Sequence, residues 1–221
     1  MTEPLRATDF HKAAGAEDWR VVSDGACAFF ATASLSQSAR FVQAIAAIPG
    51  IENHAPDVDV RRAGVTVRLL TLHDDYFGVT TTDLEFARKI SASALALGLR
   101  ADPSAIQSML IIPGAAAIAD VMPFWEAVLG YKPRPDSPAE DLVDPNDRGP
   151  AFWFENMREP RPGAGGAIHI AVWIAPELAE ARVAAALAAG GHIVRDFAPS
   201  WWTLADSAGN EADISTSEAR D

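Results

Sequence analysis

Cysteine is nearly absent from this chain of 221 residues, Cys27 being the only one. A single thiol can neither close a disulfide within the chain nor build a multi-cysteine zinc site, and it makes the reducing cytoplasm the expected compartment. Cations are also scarce, with 18 Lys and Arg against 30 Asp and Glu and a formal net charge of −12. Nucleic-acid binding draws on clustered cations that displace counterions, so nucleic acid is not an expected partner. No apolar run approaches the roughly 18 residues of a membrane span. SALALGL and LIIPGAAAIADV are short and interrupted, and no membrane is expected as a partner. The N-terminal MTEPLRATDFHKAAGAEDW lacks the apolar stretch and small-residue cleavage site of a secretory signal. The length fits one large domain or two of about 100 residues, and either can bury a core.

The first half alternates helical and strand signals. Asp9 to Gly15 reads as a short helix with Thr8 or Asp9 as N-cap, and WRVVSDGACAFFATA as two strands joined at Asp24-Gly25. Ser34 can cap a helix in which Leu35, Phe41, Ile45 and Ile48 recur at helical spacing, ended by Pro49-Gly50. Val58 and Val60 then alternate with polar residues, and Arg62-Ala63-Gly64 turns into VTVRLLTLH. Thr80 opens TTTD, a capping-box-like start with Asp83 at the fourth position, for a helix through Leu84, Ala87, Ile90 and Leu97. The order is helix, two strands, helix, two strands, helix. GLRADPS then breaks the pattern as an interdomain linker does, which predicts domains of residues 1–101 and 102–221.

In the second half SMLIIPG reads as a strand and DVMPFWEAVLGY as a helix with Phe124, Val128 and Leu129 inward, and loops then lead to the strand AFWFENM. AIHIAVWIA, PELAEARVAAALAAGG, HIVRDF, WWTLAD and EADIST repeat that theme as strand, helix and three strands. This half is therefore an internal structural repeat of about 50 residues whose copies share pattern rather than identity.

Two of the five histidines, His54 and His73, stand at the ends of one strand–turn–strand stretch. Near neutral pH an imidazole holds or gives up a proton at little cost, so two of them around one substrate can act as acid and base. NHAPDVDVRRAGVTVRL, with WRVV before it and LTLH and GVTTTD after it, resembles the pterin-4a-carbinolamine dehydratase family over residues 5 to 97. The resemblance implies a four-stranded antiparallel sheet with helices on one face, frequent assembly into homo-oligomers, and loss of water from a 4a-hydroxytetrahydropterin without a cofactor. It places His54 and His73 as the catalytic pair, and Ala55, Pro56, Leu72, Asp74 and Asp83 as substrate-binding positions. By composition alone Asp74-Asp75 reads as a solvated loop, Cys27 as a small core residue, and His11 and His192 as surface residues.

There are departures from that family. Ala55 stands where it has a second histidine, Gly50 where it has a glutamate, and Arg62-Ala63 where it has Tyr-Asn. Val65 to His73 is also one residue longer than the family interval. Strict alternation would put His73 on the core face with Val65, Val67 and Leu69, and a β-bulge near Leu70 would be needed to turn it back toward His54.

MPFWEAVLGY, DRGPAFWF, GGAIHIAVWI and WWTLADSAGNEADI, in that order, resemble the glyoxalase-like branch of the vicinal oxygen chelate superfamily over residues 106 to 216. That resemblance implies paired βαβββ modules forming a cup, in which many members hold a divalent metal through His and Glu. His169 matches one ligand strand, Glu211 lies near a second and Glu155 can supply a third, whereas MLIIPG offers no ligand. No metal is therefore favoured. Trp125, Trp153, Trp173, Trp201 and Trp202 can line a ligand cavity or fill the core.

The expectation is an α+β protein of two domains. The leading function is a lyase of the 4a-hydroxytetrahydropterin dehydratase type, its partner a small pterin-like or aromatic molecule. One alternative is a non-catalytic binding protein that uses the second-half cup beside a degenerate dehydratase module. A third reading is a metal-dependent lyase, isomerase or dioxygenase centred on His169 and Glu211.

Overall fold

A computed structural model of the chain describes residues 3–73, 76–157, 168–205 and 211–218, apart from the side chains of Phe124, Ala127 and Val128. Among these, 3–72, 76–107 and 217–218 form one compact unit, and 73, 108–157, 168–205 and 211–216 form another.

The first unit opens with helix α1 (Ala7–Lys12) and strands β1 (Arg20–Val22) and β2 (Gly25–Ala31). Val22 pairs with Gly25, so the tight turn is Ser23-Asp24 and Gly25 is already in the strand, one residue away from the expected Asp24-Gly25. Ser23 takes the left-handed conformation, φ 54°, which a two-residue hairpin requires. Helix α2 (Leu35–Ala46) is capped by Ser34, whose hydroxyl accepts the Gln37 N–H. Phe41 and Ile45 face the core as the spacing predicts, but Leu35 is exposed.

Strands β3 (Asp57–Arg61) and β4 (Gly64–Leu69) turn on Arg62-Ala63. They complete an antiparallel sheet in the order β1-β2-β4-β3. A Cβ on Gly64 would run into the Phe30 carbonyl and come within 2.7 Å of Phe29 Cζ, so the turn enters β4 where only glycine fits. Buried Val65, Val67 and Leu69 on β4 pack with Phe10, Trp19, Phe30, Phe41 and Ile90 in one core.

The expected long strand to His73 does not form. β4 ends at Leu69, Leu70 leaves the ladder, and the chain restarts as β5 (Thr71–His73), which pairs with β6 (Tyr76–Gly78). Thr71 keeps the inward parity of Leu69 and is buried, while Leu72 and His73 are both exposed. Strict alternation would have buried His73; the change of pairing partner resets the strand and overrides it. Helix α3 (Thr81–Ala96) follows and begins with a complete Thr80–Asp83 capping box. His11 differs from the surface residue expected: it is half-buried, and its Nε2 accepts the Val21 N–H at 2.8 Å.

The second unit holds β7 (Gln107–Ala115), α4 (Ile118–Leu129), β8 (Lys132–Pro133), β9 (Asp141–Val143), β10 (Ala151–Trp153) and β11 (Glu155–Asn156). It continues with β12 (Ile168–Ile174), α5 (Pro176–Ala188), β13 (His192–Phe197), β14 (Trp201–Ala205) and β15 (Glu211–Ser215). The strand order β13-β14-β15-β12-β7-β10-β9-β8 makes the repeat explicit. Each copy starts with a strand that pairs parallel to its own last one, β12 with β15 and β7 with β10, and the copies meet at β12-β7. The fold is thus α+β, with a four-stranded antiparallel sheet followed by paired βαβββ modules. α5 packs on Ile174, Trp202, Leu204 and Ile214. Ile118, Val121, Met122 and Leu129 of α4 pack with Leu142, Phe152 and Phe154. The inward positions expected for Phe124 and Val128 lie outside the described side chains.

Candidate acid–base site

His54 follows the 3-10 turn Ile51–Asn53, and its backbone N–H donates to the Ile51 carbonyl at 2.9 Å. Gly50 enters this turn at φ 83°, a conformation that a Cβ makes costly. Ile51 is buried in the core, so the imidazole is delivered from an anchored backbone.

Asp83 arrives as the third residue of α3. The Thr80 backbone N–H donates to Asp83 Oδ2 at 2.7 Å, and the Asp83 N–H approaches Thr80 Oγ1 at 3.5 Å. From β5 the Thr71 hydroxyl donates to the same Oδ2 at 2.7 Å. The Thr80 hydroxyl is 2.7 Å from Oδ2 and 2.9 Å from Thr71 Oγ1. Asp83 is 0% exposed, and a carboxylate so buried must have its oxygens satisfied by protein donors. Oδ2 is served by the capping box and Thr71. Oδ1 is served by His54 Nε2 at 2.6 Å.

A carboxylate oxygen accepts, so Nε2 carries the proton, and in the neutral ring Nδ1 is left with the free lone pair. Phe86, one helical turn beyond Asp83, stacks on the imidazole with centroids 5.7 Å apart and 12° between planes. Lys89 Nζ lies 4.7 Å from the Phe86 ring centroid. The hydrogen bond thus sets which edge of the imidazole turns inward, and the stack sets its plane. Among the described residues, the hydrogen bonds and ring contacts of the His54 side chain go to Asp83 and Phe86. Such an imidazole can take up a proton at Nδ1 and return it, with the resulting cation held against a buried carboxylate.

The other expected site residues are placed as follows. Ala55 is exposed and offers no polar side-chain atom, Pro56 is half-buried, and Leu72 is 58% exposed. His73 is exposed on β5 and groups with the second unit. Asp74 lies outside the described residues. Asp83, expected as a substrate-binding position, is 0% exposed and has both oxygens occupied by protein donors. Burial pushes the nearby Tyr76 phenol up, and the Asp83 charge adds to this, so Tyr76 keeps its proton and donates to the Val79 carbonyl at 2.6 Å.

Two family models match successive parts of the chain. The family model for pterin 4 alpha carbinolamine dehydratase matches residues 3–93, and that for a glyoxalase-like domain matches residues 110–215. The chain joins a dehydratase-family domain to a glyoxalase-like domain. No curated protein sequence matches it. A solved structure that matches is an NAD-dependent benzaldehyde dehydrogenase from Legionella pneumophila, at 14% identity and TM-score 0.36, covering 49% of this chain and 97% of that one.

In the glyoxalase-like domain His169, Glu155 and Glu211 do not converge. His169 Nε2 faces Asp213 Oδ2 at 3.4 Å, Glu211 Oε2 accepts from Arg195 Nη2 at 3.1 Å, and Glu155 sits on β11 paired with Gly114. Among the described residues no group of three His, Cys, Asp or Glu side chains is placed to hold a metal ion. As arranged, these donors do not fit a divalent ion, which needs three or four of them pointing at one centre. The tryptophans divide: Trp173 and Trp202 are buried, whereas Trp153 is 37% exposed.

Sequence reasoning missed Thr71, Phe86, Asp213 and Arg195. Two of these carried a signal. Phe86 lies three residues after Asp83 on one helix face, and Asp213 lies two after Glu211 on one strand face. Thr71 and Arg195 reach their partners through strand pairing that no local pattern encodes.

Proposed function

We propose that the dehydratase domain removes water from a 4a-hydroxytetrahydropterin, with His54 as a proton-transfer group and Asp83 as the residue that positions it. The observation that carries this reading is the 2.6 Å hydrogen bond from His54 Nε2 to a fully buried carboxylate, which leaves Nδ1 for the substrate. In the reaction the C–O bond to the 4a hydroxyl breaks, the ring N–H gives up its proton to form the C=N bond, and water leaves. One positioned imidazole can serve either transfer, and the balance requires no cofactor. The exposed His73 is the second candidate group, on the resemblance of its strand. Leu72 is exposed and Pro56 half-buried, and on the family resemblance both would offer apolar surface to a flat ring.

The test is the decay of 4a-hydroxypterin absorbance with purified full-length protein. The wild type should accelerate it over buffer, and His54→Ala should lose about 10²–10⁴-fold of that acceleration. No acceleration over buffer, or an unchanged His54→Ala, refutes the lyase reading.

Ala55 favours a second reading, in which the dehydratase module is degenerate and the glyoxalase-like domain binds a small aromatic molecule. Thermal stabilisation by small aromatics and none by pterins would support it.

A further inference from the structure

The first unit's sheet gives up β4 at Leu69, opposite Ala26 on β2. Beyond it β5 pairs with β6, and β6 leads through Val79 into Thr80 at the start of α3. This hairpin carries Thr71 to the helix start. Thr71 and Thr80 are nine residues apart in sequence, both are buried, and their hydroxyl oxygens lie 2.9 Å from each other.

The backbone around Thr80 is held without help from Thr71. The Leu5 N–H and the Tyr76 hydroxyl both donate to the Val79 carbonyl, at 2.9 and 2.6 Å, and the Thr81 N–H donates to the Glu3 carbonyl at 2.9 Å. The capping box belongs to Thr80 and Asp83. Among the described residues, Thr71 is thus the contact of Asp83 Oδ2 that comes from outside the helix start. Three contacts join the two hydroxyls and Oδ2, and two hydroxyls hold two protons. The Thr71 proton goes either to Oδ2 directly or to Thr80 Oγ1, whose own proton then goes to Oδ2. Either way the donors converge on Oδ2, and Oδ1 is left for His54 Nε2 at 2.6 Å.

We propose that Thr71 is a positioning residue for His54: its hydroxyl holds the Asp83 carboxylate in the orientation that fixes which ring nitrogen of His54 carries the proton. With donors reaching Oδ2 from both α3 and β5, the carboxylate cannot turn about its Cβ–Cγ bond without breaking a contact to each. Valine keeps the shape of Thr71 but sets a methyl against a charged oxygen. A buried carboxylate turns away from such a neighbour, because nothing there replaces the lost donor. Oδ1 then leaves Nε2, and the imidazole is free to place its proton on either nitrogen. The effect on turnover rests on the lyase reading, whereas the effect on the His54 tautomer does not.

The experiment uses the full chain labelled with 15N-histidine, at a pH where His54 is neutral. In the wild type the two ring nitrogens of His54 should show widely separated shifts, as in a single tautomer with the proton on Nε2. In Thr71→Val the two shifts should converge, and Thr71→Ser, which keeps the hydroxyl, should restore the separation. In the pterin absorbance assay Thr71→Val should lower kcat about 10–10²-fold with KM within about twofold, the pattern of a misplaced catalytic group rather than of lost binding. Thr71→Ala, checked by circular dichroism, is the second variant. A folded Thr71→Val or Thr71→Ala that keeps the wild-type separation overturns the proposal, and so does a Thr71→Ser whose shifts converge. A wild type that does not turn over the pterin sinks the lyase reading alone, and the ring-nitrogen shifts still decide the role of Thr71.

Discussion

Asp83→Asn isolates the charge that holds His54 while keeping the side chain's shape. The carboxylate is fully buried and is approached by the Thr80 N–H, two threonine hydroxyls and His54 Nε2, all at 2.6–2.7 Å. An asparagine has one acceptor oxygen and one NH2. If the oxygen faces Thr71 and Thr80, the NH2 meets Nε2, donor against donor, and the ring must move its proton to Nδ1. If the amide turns over, the NH2 meets the Thr80 N–H instead. Either way a charge-assisted bond worth about 1.5–3 kcal/mol is lost or a buried donor is stranded at about 1–3 kcal/mol, for a net loss near 2–4 kcal/mol. A domain of ordinary stability, about 5–15 kcal/mol, survives that. On the proposed lyase reading, the orientation with the amide oxygen toward the threonines should lower turnover about 10²–10⁴-fold, because Nδ1 then carries the proton that His54 would take up. Urea denaturation measures the first quantity, and the pterin absorbance assay with its pH profile measures the second. An Asp83→Asn protein that is destabilised as expected yet turns over within threefold of wild type would show that the His54 tautomer is not set by Asp83.

Three further outcomes are expected. Gly64→Ala forces a Cβ against the Phe30 carbonyl and the Phe29 ring, and overpacking of this kind should cost about 1–3 kcal/mol in urea denaturation. Burial pushes the Cys27 thiol up to about 12, so a disulfide reagent should leave native protein unmodified at neutral pH and label it fully after unfolding. Asp213 has a lowered folded-state pKa, so its contribution to stability is present above the ordinary aspartate range and is lost as pH falls through the folded value. Acid melting curves should show that loss in the wild type and less of it in Asp213→Asn.

The parts of the fold legible in the sequence are those set by local chemistry. Ser34 caps α2 and Thr80 caps α3 because a hydroxyl just ahead of an apolar periodic run satisfies helix N–H groups wherever that run packs. The hairpin near Asp24 was legible as a turn but misplaced by one residue, because either Ser23-Asp24 or Asp24-Gly25 can make a two-residue loop. The strand from Val65 to His73 was misread for a different reason. Val65, Val67 and Leu69 alternate with polar residues, the apolar parity then shifts at Leu69-Leu70, and the pairing of β4 ends at Leu69. At the candidate site His54 and Asp83 were legible as residues, but the complete burial of Asp83 and its hydrogen bond to His54 were not.

Periodicity and caps therefore determine which segments are helix and strand, that two α+β units follow one another, and that the second repeats its own pattern. These are near-neighbour effects, in which each side chain acts on its own turn or strand. Which groups meet is decided at longer range. The 29-residue separation that brings His54 to Asp83, and the 16 that bring Arg195 to Glu211, are closed by sheet register and helix packing. Those contacts settle which imidazole nitrogen faces outward and which cation occupies the second unit's polar face.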